Sequence, residues 1–378
     1  MSRKLNSIRI IVITLLIGVC APVVSFAQDA IWLELNSRGM KAYESGDLSS
    51  AEKFYRGALE VAADGELRAE MSATLNNLGL LFKATGRLEE AASVLHNALE
   101  LRFSVYGARH RYTAQSMNNL GRLMEALGRY SAAEQLYSQA VDIYSEWKGG
   151  GTSVLAGALS NLASLYERMG RLEDAYRNLN RAVSIYDVTL PPGHPKLAST
   201  VNTLATVLVK MGHGVAAEAM YRRVIELGVD EKGVLAFEAA TALNNLAALK
   251  KENCAYEEAS DLYERAIQLW RDVVGGRSQD LAVTYNNLAG LRTRQARFDE
   301  AEQLYQRSIL LHEQVLGARN RYLIPPLEGY AYFLLVTNHP EQAQVLIKRS
   351  NQIRDQHDLD TVTMAQIEDR DRSCGDET

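Results

Sequence analysis

The chain has 378 residues, 47% hydrophobic and 23% charged, with a formal net charge of −5 at neutral pH, 7 prolines and 3 cysteines. An acidic balance argues against nucleic acid as a partner, because such binding is driven by Lys and Arg neutralising phosphates. So few cysteines cannot supply a disulfide scaffold, so stability has to come from packing, and scarce proline leaves room for long helices.

Residues 1–27 differ from the rest. Arg3, Lys4 and Arg9 precede the apolar run Ile10 to Val19, and the small residues Ser25 and Ala27 stand before Gln28. This is the layout of a cleaved secretory signal peptide. As a helix the run would be about 15 Å long, half of the roughly 30 Å hydrocarbon core of a bilayer. An uncleaved anchor reaching Val24 is the alternative, although Pro22 interrupts it, and Val19 directly before Cys20 does not suit lipid attachment. No later segment is apolar enough to cross a bilayer, so the mature chain is expected to be a soluble exported protein of a bacterial periplasm.

From there a single unit repeats. Leu78, Leu120, Leu162, Leu204, Leu246, Leu288 and Tyr330 fall at equal steps of 42 residues, each followed by glycine or alanine (Gly79, Gly121, Ala163, Ala205, Ala247, Ala289, Ala331). A further unit upstream keeps the same internal spacing in Gly39, Gly46, Ala51, Tyr55 and Ala58, making eight, with starts near 32, 72, 114, 156, 198, 240, 282 and 324. Small residues let two helices approach, and large ones fill the gaps. The spacing predicts a first helix ended by Gly86, Gly128, Gly170 or Gly212, and a second helix whose inner face carries Ala91, Ala133, Ala175, Ala217, Ala259 and Ala301. "RLEEA" and "RLEDA" put acids in the first turn of that second helix, where its dipole favours them.

The pattern resembles the tetratricopeptide repeat over roughly residues 32 to 357, in a kinesin-light-chain-like subclass with a longer period and Asn-Asn-Leu-Ala wording; "GHPKLASTVNTLA" is especially close to that subclass. The resemblance implies an all-α fold, an α-solenoid in which about eight helix-turn-helix repeats stack into a right-handed superhelix over residues 28–357. Cys254, Ala296 and Asn338 replace the turn glycine in the last three units, Lys250 and Arg292 replace a large apolar residue, and Ser308 and Ser350 replace the late alanine. These units are expected to pack less tightly. The polar tail from residue 358 to 378 is expected to be mobile.

The asparagine pair inside each first helix needs a reason, since asparagine is a poor helix former. With Leu78 and Phe82 facing inward, the helical period puts Ala73, Asn76, Leu80 and Lys83 on the opposite side, expected to line a concave groove. Asn76, Asn118, Asn202, Asn244 and Asn286 then form one row, with Ser160 in the fourth unit's place. Asn77, Asn119, Asn161, Asn245 and Asn287 form a second. An amide both donates and accepts, so it matches an extended peptide backbone. The first row is expected to hold a ligand, as groove asparagines do in the resembled subclass. The second is expected to fasten each repeat to its neighbour.

Lys83, Arg122, Arg168, Lys210, Lys251 and Arg294 surround the rows, interleaved with Glu125, Glu167 and Glu252, so an acidic protein or peptide segment is the better-matched partner. The carboxylate clamp of some chaperone-binding relatives is not evident. Solvated helix faces would look the same. The loops "GARHRY" (Gly107 to Tyr112) and "GARNRY" (Gly317 to Tyr322) read as one duplicated loop, with an arginine edge facing an anionic surface as the alternative.

None of the seven histidines, His96, His110, His194, His213, His312, His339 and His357, falls at a zinc spacing, and each reads as a surface or loop residue. "KGGGTS" (Lys148 to Ser153) lacks the context of a phosphate loop, and no nucleophile elbow is present. No catalytic residue, metal or cofactor is therefore expected. The leading expectation is a non-enzymatic interaction scaffold. The alternative is an assembly subunit packing against a membrane complex or another copy of itself.

Overall fold

A computed structural model describes residues 28–147, 152–228, 235–357 and 359–368; the leader at 1–27, the glycine-rich "KGG" stretch and the last ten residues lie outside them. The described residues are helical throughout, apart from turns and short loops, and fall into two compact units that divide after Asn178. The first unit contains α1 (28–44), α2 (Leu48–Asp64), α3 (Arg68–Ala84), α4 (Leu88–Tyr106), α5 (Arg111–Ala126), α6 (Tyr130–Glu146) and α7 (Thr152–Arg168), and α8 (Leu172–Thr189) starts in it. The second holds α9 (Pro195–Lys210), α10 (Gly214–Gly228), α11 (Ala236–Glu252), α12 (Tyr256–Val274), α13 (Gln279–Arg294), α14 (Phe298–Leu316), a 3-10 turn (Arg321–Leu323), α15 (Ile324–Val336), α16 (Pro340–Asp355) and the short α17 (Met364–Glu368). Odd and even helices alternate as first and second members of eight helix-turn-helix repeats. Most first helices start three or four residues before the sequence pattern does, and His110, His194 and Ser278 cap three of them.

Each repeat closes its first helix in one way. Arg87 N–H donates to Phe82 O at 2.8 Å and Gly86 N–H to Lys83 O at 3.2 Å, with Gly86 at φ 75°. This double bond satisfies carbonyls that the helix end leaves open and requires a left-handed residue at the turn. Cys254 (φ 59°), Ala296 (φ 55°) and Asn338 (φ 64°) adopt the same conformation in the last three repeats, without glycine's freedom. Where an arginine follows, it can anchor the second helix, as at Arg87 and Arg171. Arg87 grips Glu90 through two nitrogens, at 2.7 and 2.6 Å, and reaches Glu52 of the preceding repeat at 2.7 Å. Arg171 does the same with Asp174 and Glu134.

Leu78, Leu120, Leu162, Leu204, Leu246 and Leu288 are all buried, as are Ala91, Ala133, Ala175, Ala217, Ala259 and Ala301. The small residue after the leucine allows a close approach. A Cβ on Gly79 would stand 2.4 Å from Leu95 Cγ, and one on Gly121 2.8 Å from the Tyr137 ring.

The polar substitutions of the last repeats find partners: Arg292 is buried and ion-paired to Glu264 at 2.6 Å, Lys250 pairs with Glu218 at 2.8 Å, and the buried Ser308 donates to Ala282 O at 2.7 Å. Two expectations need correction. The tail does not leave the fold at residue 358. Asn351 exchanges two 2.8 Å bonds with the backbone of Val362, and Ile367 of α17 is 0% exposed against Ala331, Phe333 and Leu334. An open repeat end has an apolar face to cover, and this strap covers part of it. Finally, His312 is not a surface residue but 1% exposed, its Nδ1 2.9 Å from Ser308 O.

Candidate peptide-binding face

Within each unit, first helices of successive repeats touch directly: α3 with α5, α5 with α7, α9 with α11, α11 with α13 and α13 with α15. The asparagines mediate much of that contact. Asn77 Nδ2 donates to Asn36 Oδ1 at 3.1 Å, Asn119 to Asn76 at 2.9 Å, Asn161 to Asn118 at 3.0 Å, and Asn287 to Asn244 at 3.1 Å. The second asparagine of one repeat therefore donates to the first asparagine of the repeat before it. A helix pair that recurs at constant pitch brings these amides together, and a buried amide left unpaired would cost about 1–3 kcal/mol.

The first row is consequently not an open strip of amides. Asn76 and Asn202 are only 3% and 7% exposed, while Asn118, Asn244 and Asn286 are half-buried. The ladder is not continuous. Asn286 would be met by residue 329, but that is a glycine, and Asn286 Oδ1 is buried without a partner among the described residues. Asn202 Oδ1 is unpartnered too, since Asn245 turns its carbonyl to Asn244, while Asn202 Nδ2 donates to Glu238 O at 2.9 Å.

Beside the ladder in the first unit, cations gather. Arg168 pairs with Glu125 at 3.1 Å, and Tyr137 donates its hydroxyl to the same carboxylate at 3.0 Å. Burial, then Glu125, push the Tyr137 hydroxyl upward, so it stays a donor. Half-buried Lys83 is lowered by burial and by neighbouring Arg122, an effect that Glu125 opposes. Lys83 thus feels the charges of both Arg122 and Glu125, while Arg168 is the cation paired with that carboxylate. In the second unit Lys210 is exposed and Lys251 and Arg294 are half-buried, and each has a partner.

The repeated loops have structural work. His110 Nδ1 accepts from Tyr112 N at 3.2 Å and Asn320 Oδ1 from Tyr322 N at 3.0 Å, each capping the helix that follows, while Gly107 and Gly317 both take positive φ. Arg109 pairs with Glu146. Among the described residues no group of three or more His, Cys, Asp or Glu is placed to hold a metal, and no helix is long and apolar enough to cross a membrane.

Helix pairs of constant design, fastened side by side through their first helices, define an α-helical repeat protein. The chain belongs to the tetratricopeptide repeat family, whose model matches residues 70–146, 154–228 and 238–314. Among solved structures it is similar to BtubC (BKLC) from P. vanneervenii, 24% identical with a TM-score of 0.53 over 61% of this chain and 92% of that one. It is also similar to the apo form of RapI (16% identical, TM-score 0.59, 75% and 98% covered). A Rap protein complexed with Competence and Sporulation Factor is 15% identical, with a TM-score of 0.53 and 90% and 99% covered. These likenesses concern the fold. No curated protein matches the chain.

Proposed function

We propose that this chain is an exported, non-enzymatic scaffold of the kinesin-light-chain-like subclass, whose first-helix face binds an extended acidic segment of a partner protein. The observation that carries the reading is the gathering of Lys83, Arg122 and Arg168 near Glu125, with Arg168 paired to that carboxylate. This puts positive charge on the helix face that carries half-buried Asn118, whose amide adds a polar contact. Weak contacts repeated along a face add up where no one repeat could hold the partner. A solved Rap protein of the same fold is complexed with Competence and Sporulation Factor, which supports a binding role for such folds. The leader-like residues 1–27 support export to a periplasm.

The test is quantitative capture from the native envelope fraction. Reversing Arg122 and Arg168 to glutamate should cut recovery of the partner about tenfold or more, since like charges oppose an acidic segment. The control, Arg177→Glu on the second helix α8, should leave recovery unchanged. Equal recovery by both variants would place the partner elsewhere.

A further inference from the structure

Late in the second helix, one position recurring at 42-residue steps meets the start of a first helix, that of its own repeat for Tyr144 and Trp270 and that of the next for Arg102. Tyr144, Tyr186 and Trp270 hold it in three repeats, His312 in a fourth, and all are buried. In the last repeat it is Arg354, whose charge is met by buried Glu328 at 2.9 Å. In the second repeat it is Arg102, only 4% exposed, and here no carboxylate answers it. Arg102 Nη1 donates to Tyr112 O at 2.7 Å and to Gln115 Oε1 at 3.1 Å; both partners are neutral. Nε is buried without a partner, and Nη2 makes no hydrogen bond among the described residues. A desolvated cation lacking a counter-charge is costly, and the Tyr112 ring, 5.6 Å from the guanidinium carbon, offsets only part of that cost.

The guanidinium lines a cavity of about 300 Å³ whose walls include Trp32, Tyr106 and Tyr112, with Ala73 and Glu70 on the α3 side. We infer that this cavity is a binding site for a monocarboxylate on an apolar or aromatic stem, its oxygen accepting from Arg102 Nη2. The rings take up the stem, and the carboxylate supplies the charge the fold leaves out. Glu70 makes no ion pair with Arg102, yet its charge in the wall disfavours a dianion such as phosphate. Asn76 and Asn77 of the ladder also line the site, whose charge comes from Arg102 and not from the cations near Glu125, so it does not depend on the peptide reading. The carboxylate could be a free metabolite-sized acid or the end of a partner chain.

Calorimetric titration of the purified protein tests the site with four probes: 3-phenylpropionate, its amide 3-phenylpropanamide, N-acetylphenylalanine as a chain-end mimic, and inorganic phosphate. The expected result is binding of the first probe at least about tenfold tighter than the amide and phosphate. Preference for N-acetylphenylalanine over 3-phenylpropionate would assign the site to a chain end, and the reverse to a free acid. Arg102→Gln, which keeps a donor for Tyr112 O, should abolish the difference between acid and amide. Ala73→Phe fills the half-open wall without touching the arginine, so it decides the matter if Arg102→Gln fails to fold. Equal binding of acid and amide, tighter binding of phosphate, or an unchanged affinity in either folded variant would reduce Arg102 to a spacer between repeats and overturn the inference.

Discussion

Ala296 sits at φ 55° where five other repeats have glycine, and its backbone bonds match theirs: Arg297 N–H donates to Arg292 O at 2.9 Å. A left-handed conformation costs a residue with a Cβ roughly 1–2 kcal/mol, part of which glycine returns as extra chain entropy on unfolding. Ala296→Gly should therefore raise the stability of the protein by about 0.5–1 kcal/mol, measured by urea denaturation. His312 makes the opposite kind of prediction. Burial lowers its pKa from the ordinary 6.5, with the Ser308 carbonyl acting against the shift. The fold accepts the neutral ring, so well above pH 6.5, where folded and unfolded chains are both neutral here, the residue makes no pH-dependent contribution. Below that value the unfolded chain takes up a proton before the folded one does, and stability falls. The urea midpoint should drop between about pH 7.5 and pH 5, and His312→Gln should flatten that part of the profile. A parallel profile in the variant would assign the acid sensitivity to other groups. The burial of His312 was legible in principle, at the 42-residue step from Tyr144, Tyr186 and Trp270. A lone histidine judged by metal spacing alone hides it.

At the scale of the element, much of each helix pair can be read directly. Leu78, Gly79, Ala91 and Leu95 report packing between helices adjacent in the chain, and local periodicity encodes that. The fastening of one repeat to the next is harder to see, because it joins residues 43 apart whose approach depends on pitch. The second asparagine row could be expected to bridge repeats, but its acceptor could not be named: Asn119 reaches Asn76, the residue thought to face a ligand. Arg87 was likewise hidden, since "RLEEA" accounts for its acids by the helix dipole alone and says nothing of Glu52 in the repeat before. The strap at 359–368 has no counterpart in the other repeats, so no period announces it. It carries its own prediction. Ile367→Ala should destabilise the last repeat by about 2–4 kcal/mol, read as faster amide exchange in α15 and α16. Unchanged protection there would mean the strap covers nothing that matters.

For the whole molecule, stability in a repeat array is approximately a sum of what each repeat contributes and what each interface adds. Eight similar repeats with alternating small and large residues account for the first part. Asparagine bridges contribute to the second, between Asn36 and Asn77, Asn76 and Asn119, Asn118 and Asn161, and Asn244 and Asn287. This changes what the recurring pair means for function. The amides bridge repeats, so the proposed contact with a partner falls to the cations beside them. The most direct measurement is a double-mutant cycle at Asn118 and Asn161, each replaced by alanine singly and together, followed by urea denaturation. A bridge between repeats predicts a coupling of about 0.5–1.5 kcal/mol between the two sites. Losses that simply add would show that the amides touch without holding, and that the repeats are joined by apolar packing alone.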